Sequence, residues 1–440
     1  MVVRHPARRE VCPLLILAKL AASFALIIIL LRRKVPLGPV MLIAAAFLGL
    51  IFGVAPRGMA SALVRGAVSP STLNLVLALA IIMLLEGLLR RTGTLQRMVS
   101  SLSALTGDTR VSMAVLPALI GFLPSAGGAV FSAPLVEEIA RDTGYSAERK
   151  SFINYWYRHV WEYILPIYPS VILASEVLRV RLGELVVPQI PLSLAMILAG
   201  APLVARKLAS AATAGARSDS VGTPSAIGGI QSTGVPGFPR AAGRKWEHAR
   251  DLAAGLSPIL VVLVLTLGFK LDISLSVGAV FLACLVVFRY RPAQVVELAR
   301  ESFSVMTLFL VLGVMIFKEM LAETGVARTL PALLESVGLA PAVMVFLLPF
   351  TVSLMTGLAS AAVGITYPII AGIVNPGVPD PGLIALMGAG MVGGTMLSPV
   401  HLCLALTVQY FKADLTRVYR MLYLPQAAIW LVAVGEYFWR

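Results

Sequence analysis

Apolar residues fall along this chain in stretches of about 20, the length that crosses a hydrocarbon core of about 30 Å. Such stretches occupy residues 13–31, 36–54, 71–89, 152–175 and 185–205, and then 252–269, 273–288, 303–322, 383–411 and 418–438. Residues 110–140 and 340–374 are apolar too, but each is too long for one span and is broken midway. In the first, Leu116 to Phe122 gives way to Pro124, Ser125, Gly127 and Gly128 before apolar character resumes from Ala129 to Val136. In the second the break is Met355-Thr356-Gly357-Leu358-Ala359-Ser360. Proline removes a backbone donor and glycine weakens helix, so both breaks should unwind. Unwound backbone is tolerated at membrane depth only where protein buries it or a wet cavity meets it. Each stretch therefore reads as a re-entrant hairpin.

The two halves resemble each other. Leu84 to Gly93 lies over Ile316 to Gly325, Pro117 falls on Pro349, and the break at Pro124 to Gly128 falls on Thr356 to Ser360. Ile164 to Tyr168 lies over Leu397 to His401. Each half then holds five crossings and one hairpin. Five is odd, so the second half sits upside down relative to the first. The expected fold is an all-α polytopic membrane protein of about ten transmembrane helices plus two re-entrant hairpins in two inverted repeats. The first repeat covers 11–205 and the second 251–440. Between them, residues 206–250 are rich in Ala, Gly, Ser, Thr and Pro and read as a flexible basic linker.

Composition agrees with that class. Only 13% of the 440 residues are charged and 58% are hydrophobic, against roughly 25% charged in a soluble domain. The net charge of +14 sits mostly in short loops, where Lys and Arg set orientation rather than hold nucleic acid. Placing the N-terminus outside puts Arg32, Arg33, Lys34, Arg90, Arg91 and the linker arginines inside, so both termini are expected to be extracytoplasmic, in the inner membrane. Arg4, Arg8 and Arg9 oppose that orientation; the apolar stretch behind them reads as the first span, not as a cleaved signal. Cys12, Cys284 and Cys403 lie far apart without metal-type spacing, so they read as small core residues, and no metal or cofactor is expected.

The breaks are where chemistry is expected. Half-helix ends expose N–H groups suited to anions, and unwound carbonyls suit cations. Ser125, Gly127 and Gly128, with Thr356, Gly357 and Ser360, would line such a site, unless they only let helices pack closely. Asn154-Tyr155-Trp156-Tyr157-Arg158-His159-Val160-Trp161-Glu162 is unusually polar. On a helix Asn154, Arg158, Trp161 and Glu162 would share one face. Arg158 offers a fork for a carboxylate, while His159 or Glu162 would carry a coupling proton. An interfacial aromatic belt with an internal Arg158–Glu162 pair is the other reading. Gly393-Gly394 and Ser398-Pro399 should unwind the span that holds His401, and Pro166 and Pro169 should do so in the first half. Ser398 and His401 join the candidates because an intramembrane histidine is costly.

Leu123-Pro124-Ser125-Ala126-Gly127-Gly128-Ala129-Val130-Phe131-Ser132-Ala133-Pro134, followed by Asn154 to Glu162, resembles the domain-of-unknown-function 401 family of integral membrane proteins. That family is similar to the ion transporter superfamily, which includes gluconate, citrate, lactate and dicarboxylate permeases. The resemblance covers most of the chain outside its first ten residues and the linker. It implies an elevator-type secondary transporter, often a homodimer, with Ser125, Gly127, Gly128, Thr356, Gly357 and Ser360 at the hairpin tips. The Ser-Asn-Thr tips of sodium-coupled dicarboxylate carriers are absent.

The expected function is ion-coupled secondary transport of a small organic anion, a carboxylate, driven by H+ or Na+, with the lipid bilayer as its surroundings and no enzymatic activity. A cation/proton antiporter on the same scaffold is the alternative. An intramembrane hydrolase built on Ser125 or Ser398 with His159 or His401 is a remote one, since no Gly-x-Ser-x-Gly elbow is present. Pore-lining charge rings and an ATP-binding signature are not visible.

Overall fold

The computed structural model describes residues 13–106, 108–122, 128–141, 143–205, 245–326, 338 and 340–439. Among them every regular element is helical. The first half holds α1 (Pro13–Arg32), α2 (Leu37–Ile51), α3 (Pro56–Val68), α4 (Pro70–Arg91), α5 (Thr94–Leu105), α6 (Thr109–Gly121), α7 (Gly128–Ile139), α8 (Ala147–Arg158), α9 (Pro169–Leu178), α10 (Leu182–Val186) and α11 (Ile190–Ala205). The second holds α12 (Lys245–Leu263), α13 (Ile273–Val287), α14 (Pro292–Ser302), α15 (Val305–Thr324), α16 (Pro341–Thr356), α17 (Ala359–Val374), α18 (Pro381–Met396), α19 (Leu402–Phe411) and α20 (Leu415–Trp439). Five segments are long and apolar enough to cross a membrane: Pro56–Arg91, Leu182–Ala205, Lys245–Gly268, Val305–Thr324 and Leu415–Trp439. Several shorter apolar helices accompany them.

Local chemistry sets the boundaries. Ser69, Asp108, Ser146, Asp272, Ser304 and Asp380 accept a first-turn N–H from α4, α6, α8, α13, α15 and α18. Proline follows the cap at Pro70 and Pro381, where its missing N–H costs nothing. Gly325 and Gly357 close α15 and α16 in the left-handed region.

Three helices occupy segments expected to be loops. They are α3, α5 and α14, amphipathic pieces whose single apolar stripes are too narrow to register as spans. They lie against α15, α12 and α4 respectively. The linker expected at 206–250 ends earlier than its composition suggested, because α12 begins at Lys245; residues 206–244 lie outside the described ones.

The breaks organise the rest. The stretch 340–374 is two helices, α16 and α17, packed on each other and separated at Gly357-Leu358. The stretch 110–140 is α6 and α7, also packed together; of its break, residues 123–127, with Ser125 and Gly127, lie outside the described residues. The spans read at 152–175 and 383–411 are each interrupted, between α8 and α9 and between α18 and α19. Contacts between the halves come in matching pairs. Helix α2 packs on α15 and α13 on α4, α3 packs on α15 and α14 on α4, and α9 packs on α17 and α19 on α7. Within the halves, α6 packs on α8 and α16 on α18.

Small residues set the closest approaches. A Cβ on Gly313 of α15 would fall 2.6 Å from the Gly38 carbonyl oxygen, and one on Gly38 would fall 2.6 Å from the Phe309 carbonyl carbon. In lipid, where burial of apolar surface adds little, such backbone contact is what holds helices together.

Candidate functional site

The interruption after α8 starts with a side chain. Helix α8 ends at Arg158 because His159 turns its own Nδ1–H onto the carbonyl of Tyr155, 2.6 Å away. That carbonyl would otherwise accept the i+4 amide; the His159 N–H reaches Trp156 instead. Residues 159–168 continue in tight turns, with Glu162 N–H on His159 and Tyr168 N–H on Leu165, until Pro169 starts α9. Asn154 and Arg158 therefore lie on α8, but Trp161 and Glu162 do not share a helix face with them.

In the other half α18 ends at Met396, and His401 stands immediately before α19. Its Nδ1–H donates to the carbonyl of Gly357 at 2.6 Å, in the break between α16 and α17. The two imidazoles meet, with Nε2 of His159 3.1 Å from Nε2 of His401 and ring centroids 5.1 Å apart. The Tyr155 ring meets His159 edge-on and His401 at a tilt. Its hydroxyl donates to the Met396 carbonyl at 3.1 Å, one of the last carbonyls of α18.

Arg158, His159, Glu162 and His401 are 4, 3, 7 and 8% exposed, so these side chains lie in the protein interior. Oε1 of Glu162 lies 3.8 Å from Nε2 of His159.

The other candidates are distributed around this cluster. Asn154 is buried and donates to the Thr407 hydroxyl on α19 at 3.1 Å. Ser398 donates to the Leu354 carbonyl at 2.8 Å, tying the α18–α19 break to the end of α16. His401 turns its ring nitrogens toward Gly357 and His159 and Ser398 bonds to Leu354, so the Ser398–His401 pair that a hydrolase would need is not formed. Thr356 donates to Val352 at 2.7 Å and accepts from the Leu358 amide, Ser360 lies in the first turn of α17, and Gly128 opens α7. Gly121, the last residue of α6, packs on the Arg158 carbonyl as Gly357 packs on His401. Two residues were missed. Tyr155 was hidden among aromatic neighbours. Cys403, read from spacing as a core residue, has its sulfur within 4.8 Å of the ligand nitrogens of both histidines; its only sequence signal is its place two residues after His401.

A cavity lies elsewhere. About 1310 Å³ opens among α3, α9, α10, α13 and α15, lined by charges of both signs including Arg65, Glu176, Arg179, Asp272 and Lys318. Helix α9, which follows the α8–α9 break, lines this cavity with Ile172, Ser175 and Glu176.

Discontinuous helices that meet around buried ionisable side chains define a polytopic helical membrane protein with an internal polar site. The family model described as "Protein of unknown function (DUF401)" matches residues 16–221 and 233–435, and the chain belongs to that family. No curated protein matches it in sequence. In fold it is similar to the YdaH transporter of Alcanivorax borkumensis, whose topology its description calls unusual. The TM-score is 0.57 at 16% identity, over 87% of this chain and 88% of that one.

Proposed function

We propose that the chain is an ion-coupled secondary transporter of a small organic anion, a carboxylate. The observation that carries this reading is the convergence of the breaks: Gly357 on His401 and Gly121 on Arg158, around a buried arginine, two histidines and a carboxylate. Helices α17 and α19 start there without a side-chain cap, leaving first-turn N–H groups for an anion beside Arg158. The ends of α8, α16 and α18 bring carbonyls and partial negative charge, which suit a coupling cation. His159, Glu162 and His401 are the groups for that ion, a proton or Na+. The charged cavity is the route from one membrane face.

The paired contacts between the halves support two copies of one fold in opposite orientation, the ion transporter superfamily arrangement; with it we propose hairpins that move elevator-fashion, in a homodimer of the inner membrane. The fold shared with a solved transporter supports the general class. The histidine pair also favours a second reading, cation/proton antiport, because it handles a cation without needing an anion. Proteoliposomes separate the two. Counterflow of labelled mono- and dicarboxylates, abolished by Arg158→Ala, is expected. PH-dependent sodium efflux with no carboxylate counterflow would overturn the anion reading in favour of the antiporter.

A further inference from the structure

The two imidazoles face each other in a way that calls for a cation between them. A carbonyl oxygen only accepts, so the 2.6 Å bonds to Tyr155 and Gly357 fix Nδ1–H on both rings. Each neutral ring then has a lone pair on Nε2, and those two lone pairs meet at 3.1 Å. Two nitrogens about 2.0–2.1 Å from a tetrahedral ion lie about 3.3 Å apart. Holding the outer N–H of a ligating histidine on a carbonyl is also how metal sites orient their ligands. The Cys403 sulfur completes a set whose ligand atoms all lie within 4.8 Å of one another. Oε1 of Glu162 is 3.8 Å from the His159 nitrogen, and its Oε2 is buried with no hydrogen-bond partner among the described residues.

We propose that His159, His401 and Cys403, with Glu162 as the fourth group, bind one zinc-type ion that joins the α8–α9 break to the α18–α19 break. Imidazole and thiolate select Zn2+ over Na+ or Mg2+, which favour oxygen. One dication with one thiolate and one carboxylate is neutral, which suits a site buried away from water. The proposal shares residues with the transport reading and would replace one part of it: a zinc-type ion on His159, His401 and Glu162 moves the coupling H+ or Na+ elsewhere, while carriage of a carboxylate stays a separate question.

Co2+ titration of the full-length protein in detergent tests it, with Zn2+ competition. Wild type should show saturable tetrahedral d–d absorption and a thiolate-to-cobalt charge-transfer band, both removed by Zn2+. Cys403→Ser should lose the charge-transfer band while keeping the elution profile of the wild type. His159→Gln and His401→Gln should weaken Co2+ binding by about 100-fold or more, the upper end of what altering a site's supporting groups costs. Should the histidine variants fail to fold, Cys403→Ser alone decides. No saturable spectrum up to about 1 mM Co2+, the weak end of the affinity scale, overturns the proposal, as does a charge-transfer band that survives Cys403→Ser. Carboxylate counterflow is read separately, so either result leaves the transport reading to its own test.

Discussion

Gly357 is bound to His401 twice over: its carbonyl accepts the Nδ1–H at 2.6 Å, and a Cβ added to it would fall 2.8 Å from the His401 Cα and backbone nitrogen. Its φ of +69° is the left-handed cap that ends α16. Gly357→Ala thus adds a strained cap, about 1–2 kcal/mol, to a collision with rigid backbone, about 1–3 kcal/mol more. Gly325→Ala carries the first cost alone, since φ is +76° there and nothing lies within 4 Å. Thermal unfolding in detergent should rank wild type above Gly325→Ala above Gly357→Ala. Equal losses in the two variants would mean that the contact with His401 is not rigid.

Among the described residues, Glu162 is the acidic group that pairs with the histidine cluster, 3.8 Å from His159. If it balances the coupling ion, Glu162→Gln should lower gradient-driven uptake in proteoliposomes by about tenfold or more, the effect of about 1.4 kcal/mol. Counterflow of the bound anion, which needs no net ion movement, should persist. Loss of both together with a lowered Tm would assign Glu162 a packing role instead.

Much of this was legible in the sequence because Pro and Gly act locally. Gly357 ends α16, and Pro169 starts α9. Of the stretches read as crossings, 71–89, 185–205, 252–269, 303–322 and 418–438 fall in the five segments long and apolar enough to span. The amphipathic helices were not legible: α14 buries only Leu298, so its stripe carries little signal. The histidine pairing was hidden for another reason. His159 and His401 are 242 residues apart, and only the packing of four broken segments brings their rings together. The polar face drawn from Asn154 to Glu162 assumed unbroken helix, and His159 ends that helix with its own side chain.

Glycines within helices should divide by what surrounds them. At Gly313 a Cβ would meet the Gly38 carbonyl at 2.6 Å, so Gly313→Ala should force α15 from α2 at a cost of about 1–3 kcal/mol. At Gly278 on α13 the nearest atom would be the Ile81 Cδ1 at 3.6 Å, ordinary contact, so Gly278→Ala should gain up to about 1 kcal/mol of helix propensity. Opposite shifts in Tm are expected. A Gly313→Ala protein as stable as wild type would show that α2 and α15 slide apart freely.

Acid should weaken one joint between the halves. In the turn before α13, Asp272 accepts the Ser274 amide at 2.8 Å and hydroxyl at 2.7 Å, and its other oxygen takes the Asn74 amide of α4 at 2.8 Å. Burial pushes this carboxyl up, but the hydrogen bonds from Ser274 and Asn74 outweigh it and hold it below its ordinary value. A carboxyl lowered by folding contributes its full stability above its unfolded pKa, about 3.9, and loses it as pH falls through the lower folded value. Asp272→Ala should therefore cost about 0.5–2 kcal/mol near neutrality, the worth of a helix cap. The Tm gap between wild type and variant should hold down to about pH 5 and narrow below the carboxylate range of about 4. A gap that widened on acidification would mean that folding raises the Asp272 pKa, and that the α4–α13 joint depends on something other than the ionised carboxylate.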